Sequence, residues 1–335
     1  MGATIAVIGL GRIGAFHAET LSGLAGVDEL VVTDERPEVT AAVADKLGAR
    51  AVPDAQAALA AGVDGVVIAA ATPAHARLIL AAVEAGIPVF CEKPIAFTAA
   101  ESREVVARLA DSTVPVQIGY NRRFDPAYVA AYEAVRAGEL GRLTTVRSTT
   151  MDPAPPPPAY VAASGGIFRD CSVHDFDIVC WIVGREVVEV YATGTDHGEA
   201  MFAEAGDAAS AQTLLSFDDG TLGVVSNTRY NGRGYDCRLE LHGSTDSVVA
   251  GWDAGVPVRN LTPGETFPHG APYQFFMDRF IEAYRAELNA FLDVAMGRRA
   301  SPCTPQEALE VAWIAEAATL SLQQHRPIRM EEVRS

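Results

Sequence analysis

The chain has 335 residues, 49% hydrophobic and 21% charged, and its 26 Lys and Arg stand against 43 Asp and Glu for a formal net charge of −17. That length is too great for one small core and predicts two domains, and the composition is that of a soluble globular protein. So acidic a chain argues against a nucleic-acid binder and against binding to an anionic membrane surface, and it suits an enzyme whose substrate is neutral or one whose positive charge is confined to a pocket.

The first 119 residues alternate strand and helix. "TIAVIGL" (4–10) reads as a buried strand, followed by a helix over about 13–24. "ELVVTD" (29–34) is a second strand, and 37–47 a helix with Pro37 in its first turn. "GVVIAAA" (65–71) and "PVFCE" (88–92) are strands, separated by a helix near 73–85 that stops at Gly86. A helix over 99–110 and the strand "VPVQIGY" (114–120) complete this part. Apolar strands alternating with helices predict a parallel sheet covered on both faces, a Rossmann-type α/β domain over 1–119.

The pattern changes after Tyr120. A helix spans about 126–137, then come the strand-like "RLTTVRSTTMD" (142–152) and the proline run "PAPPPP" (153–158). The run reads as a stiff spacer. A helix within "GGIFRDCSVHDFDIVCWIVG" (165–184) precedes alternating segments from 187 to 249, with "DDG" (218–220) as a hairpin signal. These predict an α+β domain over 120–335 with a mainly antiparallel sheet open on one face, ending in helices. Cys91, Cys171, Cys180, Cys237 and Cys303 form no CxxC pair, and their odd number argues for reduced thiols in a cytoplasm. No basic n-region of a signal peptide precedes the first strand, and no apolar run reaches the length of a membrane span.

Gly9, Gly11 and Gly14 have GxGxxG spacing after a strand and at the start of a helix, the setting that dinucleotide binding requires. The helix start at Arg12 and Ile13 offers N–H groups to the phosphates. Asp34, 20 residues after Gly14, stands where a carboxylate holds the ribose hydroxyls of NAD and repels the 2′-phosphate of NADP; Arg36 could offset that repulsion. NAD is therefore expected over NADP.

Ligands of such folds bind beyond the strand ends, which places Thr72, Glu92 and Lys93 near the nicotinamide. Alone, Lys93 reads as a surface residue closing a strand. Asp170, His174 and Asp177 are spaced i, i+4, i+7 and share a helix face. If that face looks across an interdomain cleft at Lys93, the parts of an alcohol dehydrogenase are present. His174 serves as base, Lys93 stabilises the alkoxide, and Asp170 binds a neighbouring hydroxyl or orients the ring. Asp177 solvates or forms a salt bridge. A hydrogen-bonded core histidine and a two-ligand metal site are the competing readings, but His17, His75, His242 and His269 are too scattered to complete a metal set, so no metal is expected.

"VIGLGRIG", "CEKPI", "GYNRRFDP", "GGIFRDCSVHDFDIVCWIVG" and "FFMDRFIEAYRAEL" together resemble the Gfo/Idh/MocA oxidoreductases and, within them, the bacterial inositol 2-dehydrogenases. The resemblance implies NAD-dependent oxidation of myo-inositol to scyllo-inosose and a homo-oligomer, commonly a tetramer, assembled through the open sheet. It implies Lys93, Asp170 and His174 as the catalytic set, Arg122, Asp152 and Tyr235 near the substrate, and Asn121 near the nicotinamide. Met151 and Phe280 depart from the polar residue and the Tyr of many relatives, which leaves open the substrate isomer. A sugar or aminocyclitol dehydrogenase shares this machinery; a redox-assisted glycosidase, which reduces NAD transiently and recycles it, would accumulate no net NADH with polyols. A non-catalytic NAD-binding regulator predicts a degraded Lys/His pair, whereas both residues are present.

Overall fold

The computed structural model describes residues 2–334. They form two compact units, Met1–Asn121 with Glu282–Glu310, and Arg122–Ile281 with Val311–Ser335. The sequence predicts a single division after residue 119, whereas in these units 282–310 packs with the first.

The first unit alternates β1 (Ala3–Ile8), α1 (Arg12–Ser22), β2 (Val27–Thr33), α2 (Pro37–Leu47), β3 (Arg50–Ala51), α3 (Ala55–Leu59), β4 (Gly65–Ile68), α4 (His75–Glu84), β5 (Val89–Glu92), α5 (Ala99–Leu109) and β6 (Val116–Gly119). The strands run parallel in the order β3-β2-β1-β4-β5-β6. The order reverses direction between β1 and β4, the position where such sheets bind ligands. β3 and α3 were not anticipated, because a two-residue exposed strand leaves no periodic signal. α5 is closed by a capping box in which Thr98 and Glu101 each satisfy the other's backbone N–H.

The second unit holds α6 (Pro126–Arg136), β7 (Leu143–Met151), α7 (Pro158–Ala163), a π-helical turn (Phe168–Ser172), α8 (Val173–Val183), β8 (Val187–Thr195), α9 (Ala200–Ala205), β9 (Ser210–Phe217), β10 (Leu222–Thr228), β11 (Asp236–Gly243) and β12 (Ser247–Ala250). α10 (Phe276–Ala295), α11 (Pro305–Gln324), β13 (Ile328–Arg329) and α12 (Glu331–Arg334) complete the chain. The seven-stranded sheet has the order β12-β11-β7-β10-β9-β8-β13. Its pairings are antiparallel except that β7 and β10 run parallel.

Side chains alternate across this sheet as the pleat demands. The row Ala192, Thr213, Val225, Ser148, Leu239 and Ala250 is buried, on the strands against which α8 packs. The adjacent row, which includes Tyr191, Leu214, Arg147 and Val249, is open to solvent. Among the described residues no helix is long and apolar enough to cross a membrane.

α10 contributes to both units. It kinks at Phe280, whose φ of −116° and ψ of 18° leave the helical region. Beyond the kink, Leu288, Phe291 and Leu292 join Ile5, Val7, Leu21, Val32 and Phe90 in the core of the first unit.

Candidate active site

In the first unit the glycine loop follows from steric demands at two positions. Gly9 has φ +90°, and a Cβ there would lie 2.5 Å from Ala70 Cα. A Cβ on Gly14 would lie 1.9 Å from Gly9 O, so only glycine lets α1 start this close to the strand. Gly11 is the N-cap of α1 and offers no side-chain cap, and the N-terminus of such a helix attracts a ligand anion.

Asp34, just past β2, accepts from the backbone N–H of Leu10 (2.7 Å) and from both N and Nε of Arg36 (3.0 Å each). Partial burial opposes its charge, but those donors and the Arg36 guanidinium outweigh it and hold the carboxyl below its usual value. An ionised acceptor, a helix N-terminus and a glycine cradle fit NAD.

At the ends of β4 and β5, His75 ties the two loops together, with its ring nitrogens 2.9 Å from Ala70 O and 2.7 Å from Pro94 O. Thr72 opens the short turn that leads from β4 into α4. Glu92 ends β5, and its Oε1 meets Nε2 of the buried His17 at 2.5 Å. Partly buried Lys93 follows. Asn121, just after β6, is buried, and its Nδ2 has no hydrogen-bond partner among the described residues. In the sequence His17 is one of several scattered histidines. Its place on the apolar face of α1 resembles that of any core residue, and only the fold brings Glu92 to it.

In the second unit, the polar residues threaded through the apolar helix have distinct tasks. Asp175 accepts from Arg122 Nη1 (2.9 Å), Ser148 Oγ (2.6 Å), Thr150 Oγ1 (2.9 Å) and Asn227 Nδ2 (2.8 Å). Asp177 takes a fork of bonds from Arg123 Nε and Nη2. Thus Asp177 forms the salt bridge that was one of its two expected roles. Both pairs are buried, so removing either partner would strand a charge.

Arg122, expected beside substrate, is 3% exposed, bound to Asp175 and set 5.6 Å from the Phe280 ring centroid. Tyr235 is 4% exposed and meets Phe280 edge-on. Burial pushes the Tyr235 hydroxyl well above its usual value.

Asp170 and His174 are only partly buried. Asp170 lies in the π-helical turn rather than on α8, so its spacing to His174 is not the plain α-helical one expected. Its Oδ1 accepts from Tyr160 OH (2.9 Å) and its Oδ2 from Arg229 Nη2 (2.7 Å). Arg229 Nη1 also donates to Asp152 Oδ2 (2.8 Å). Arg229 was missed because it follows a strand like any surface arginine. Among the described residues no three His, Cys, Asp or Glu side chains converge as a metal set.

Two family models match: the oxidoreductase family with an NAD-binding Rossmann fold over residues 3–120, and the GFO/IDH/MocA C-terminal domain over 128–249. The inositol 2-dehydrogenase of Rhizobium meliloti strain 1021 is 35% identical over 323 residues, covering 96% of this chain and 97% of its own. The crystal structure of a myo-inositol dehydrogenase from Corynebacterium glutamicum superposes with a TM-score of 0.90 at 35% identity, covering 98% of this chain and 99% of its own. A scyllo-inositol dehydrogenase from Lactobacillus casei, solved with bound NAD(H) and scyllo-inositol, superposes with a TM-score of 0.86 at 26% identity, covering 99% of this chain and 100% of its own.

Proposed function

We infer the reaction from one premise: the chain belongs to the GFO/IDH/MocA oxidoreductase family and is an NAD-dependent dehydrogenase. We propose that it oxidises a secondary hydroxyl of a cyclic polyol, with myo-inositol to scyllo-inosose as the leading reaction. The observation that carries this reading is the rim of two ionisable carboxylates, Asp152 and Asp170, bound to one guanidinium. Such a surface is rich in acceptors and suits a neutral ligand with many hydroxyls. The names of the relatives agree with it.

NAD, when bound, supplies the acceptor for the hydride that leaves the carbinol carbon. In this proposal Lys93 donates a hydrogen bond to the reacting hydroxyl and stabilises the negative charge that develops on its oxygen. His174 accepts the hydroxyl proton. Asp170 accepts from a neighbouring hydroxyl and fixes which carbon is presented. Thr72, Glu92, Lys93 and Asn121 border the nicotinamide, and Asp34 holds the adenosine ribose. Arg122 and Tyr235, both buried, back the substrate side from the interior. We place the enzyme in the cytoplasm as a homotetramer joined through the open sheet face of Tyr191, Leu214 and Val249, an assembly that light scattering would read directly.

A panel of inositol isomers and aldoses, each mixed with NAD and followed at the NADH absorbance, tests the reading. Turnover of a cyclitol is the expected result. Absence of NADH with every polyol would sink it.

A further inference from the structure

Asp152 and Arg229 meet because of one topological feature. β7 and β10 run parallel with Met151 opposite Thr228, so the residues just past each strand leave the sheet at the same edge. Asp152 N donates to Thr228 O at 2.8 Å, which fixes that register. In an antiparallel pair the two C-terminal ends point to opposite edges. Asp170 reaches the same guanidinium from the π-helical turn, an irregularity found often at functional sites.

The Arg229 side chain is 7% exposed, against 23% for Asp152 and 15% for Asp170. The cation is therefore the floor and the carboxylates are the rim. Burial pushes the Asp152 carboxyl up, Arg229 pulls it back down, and Asp170 adds to the rise. Asp207, which accepts from Ile167 N and Ala208 N, is a third carboxylate within the influence of this group. The Arg122 guanidinium also acts on Asp152, but its own charge is matched by Asp175.

We propose that Arg229 is the positioning residue of the substrate half-site, holding Asp152 and Asp170 at a fixed spacing so that they accept from two hydroxyls of one polyol. This rests on the polyol dehydrogenase reading above. The two carboxylates stand more exposed than the guanidinium and repel an anionic ligand. The site therefore takes neutral polyols and rejects phosphorylated or carboxylated ones. A lysine cannot replace the fork, because its single ammonium does not present two separated donors in a plane.

The test is steady-state kinetics on the full-length protein at saturating NAD, with the neutral cyclitol that the wild type oxidises best and with its phosphate ester. Arg229→Lys and Arg229→Gln are expected to raise KM for the neutral cyclitol about 10- to 100-fold, with a much smaller change in kcat and in NAD affinity. The wild type is expected to discriminate against the phosphate ester by about 100-fold or more in kcat/KM. Should the Arg229 variants fail to fold, Asp152→Asn at the rim carries the same expected split between KM and kcat. An unchanged KM in a folded variant, or equal use of neutral and anionic cyclitol, overturns the inference alone. A wild type that oxidises no polyol overturns both the inference and the reading it rests on.

Discussion

His174 is the second residue of α8 and, with Lys93, carries the proposed proton chemistry. His174→Ala is expected to lower kcat by about two to four orders of magnitude while NAD affinity stays near wild type; steady-state rates beside an NAD titration check it. In the proposed cofactor site Asp34 selects NAD over NADP. Asp34→Ser should move the ratio of kcat/KM values toward NADP, since the repelling charge is gone and Arg36 is released from its partner. The pH dependence of these groups has opposite signs. The Asp34 carboxyl is lowered, so its contribution to folding is complete above its unfolded value near 3.8 and is lost as pH falls through the lower native value. The Asp152 carboxyl is raised, so its ionisation costs stability as pH climbs from about 3.8 through the raised value. Denaturant midpoints measured across the acid range should show a shallower acid-side loss in Asp34→Asn. The residues of both motifs, "GYNRRFDP" and "RDCSVHDFD", stand out in the sequence. That Arg122 meets Asp175 and Arg123 meets Asp177 could not be read there, because pairs 53 and 54 positions apart leave no local pattern.

Among the elements, the glycine loop was the most legible, since its spacing and its setting between strand and helix both follow from close packing. Gly14→Ala would drive a methyl group to within 1.9 Å of Gly9 O and force the loop open. The expected outcome is a loss of NAD affinity of at least about tenfold with a lowered Tm, checked by cofactor titration and thermal melts; unchanged affinity would remove the close approach as the reason for this glycine. The π-helical turn at Phe168–Ser172 was not legible. Periodicity over 165–184 is helical throughout, and the extra residue per turn is set by what the turn packs against, including Arg229 beneath Asp170. The parallel pairing of β7 and β10 was hidden as well, since alternation marks a strand but carries no direction.

For the whole molecule, the alternation of strand and helix, the charge balance and the motif set were enough to establish the family and a two-domain plan. The return of 282–310 to the first unit was not among them. Phe291 is buried in that core beside Phe90, and Phe291→Ala should cost about 3–5 kcal/mol, with the loss read in chemical denaturation of the full chain. A fragment ending at residue 121 leaves the positions of Leu288, Phe291 and Leu292 empty and is expected to lack a cooperative melt, which calorimetry would show. The sequence by itself determined what short-range physics controls: where the longer strands and helices of the Rossmann sheet lie and where a glycine-rich turn lets a helix start close to a strand. Tertiary structure alone decided which of the polar groups serve as countercharges in the interior and which stand at the rim, because burial and long-range pairing depend on neighbours that the chain brings together only on folding.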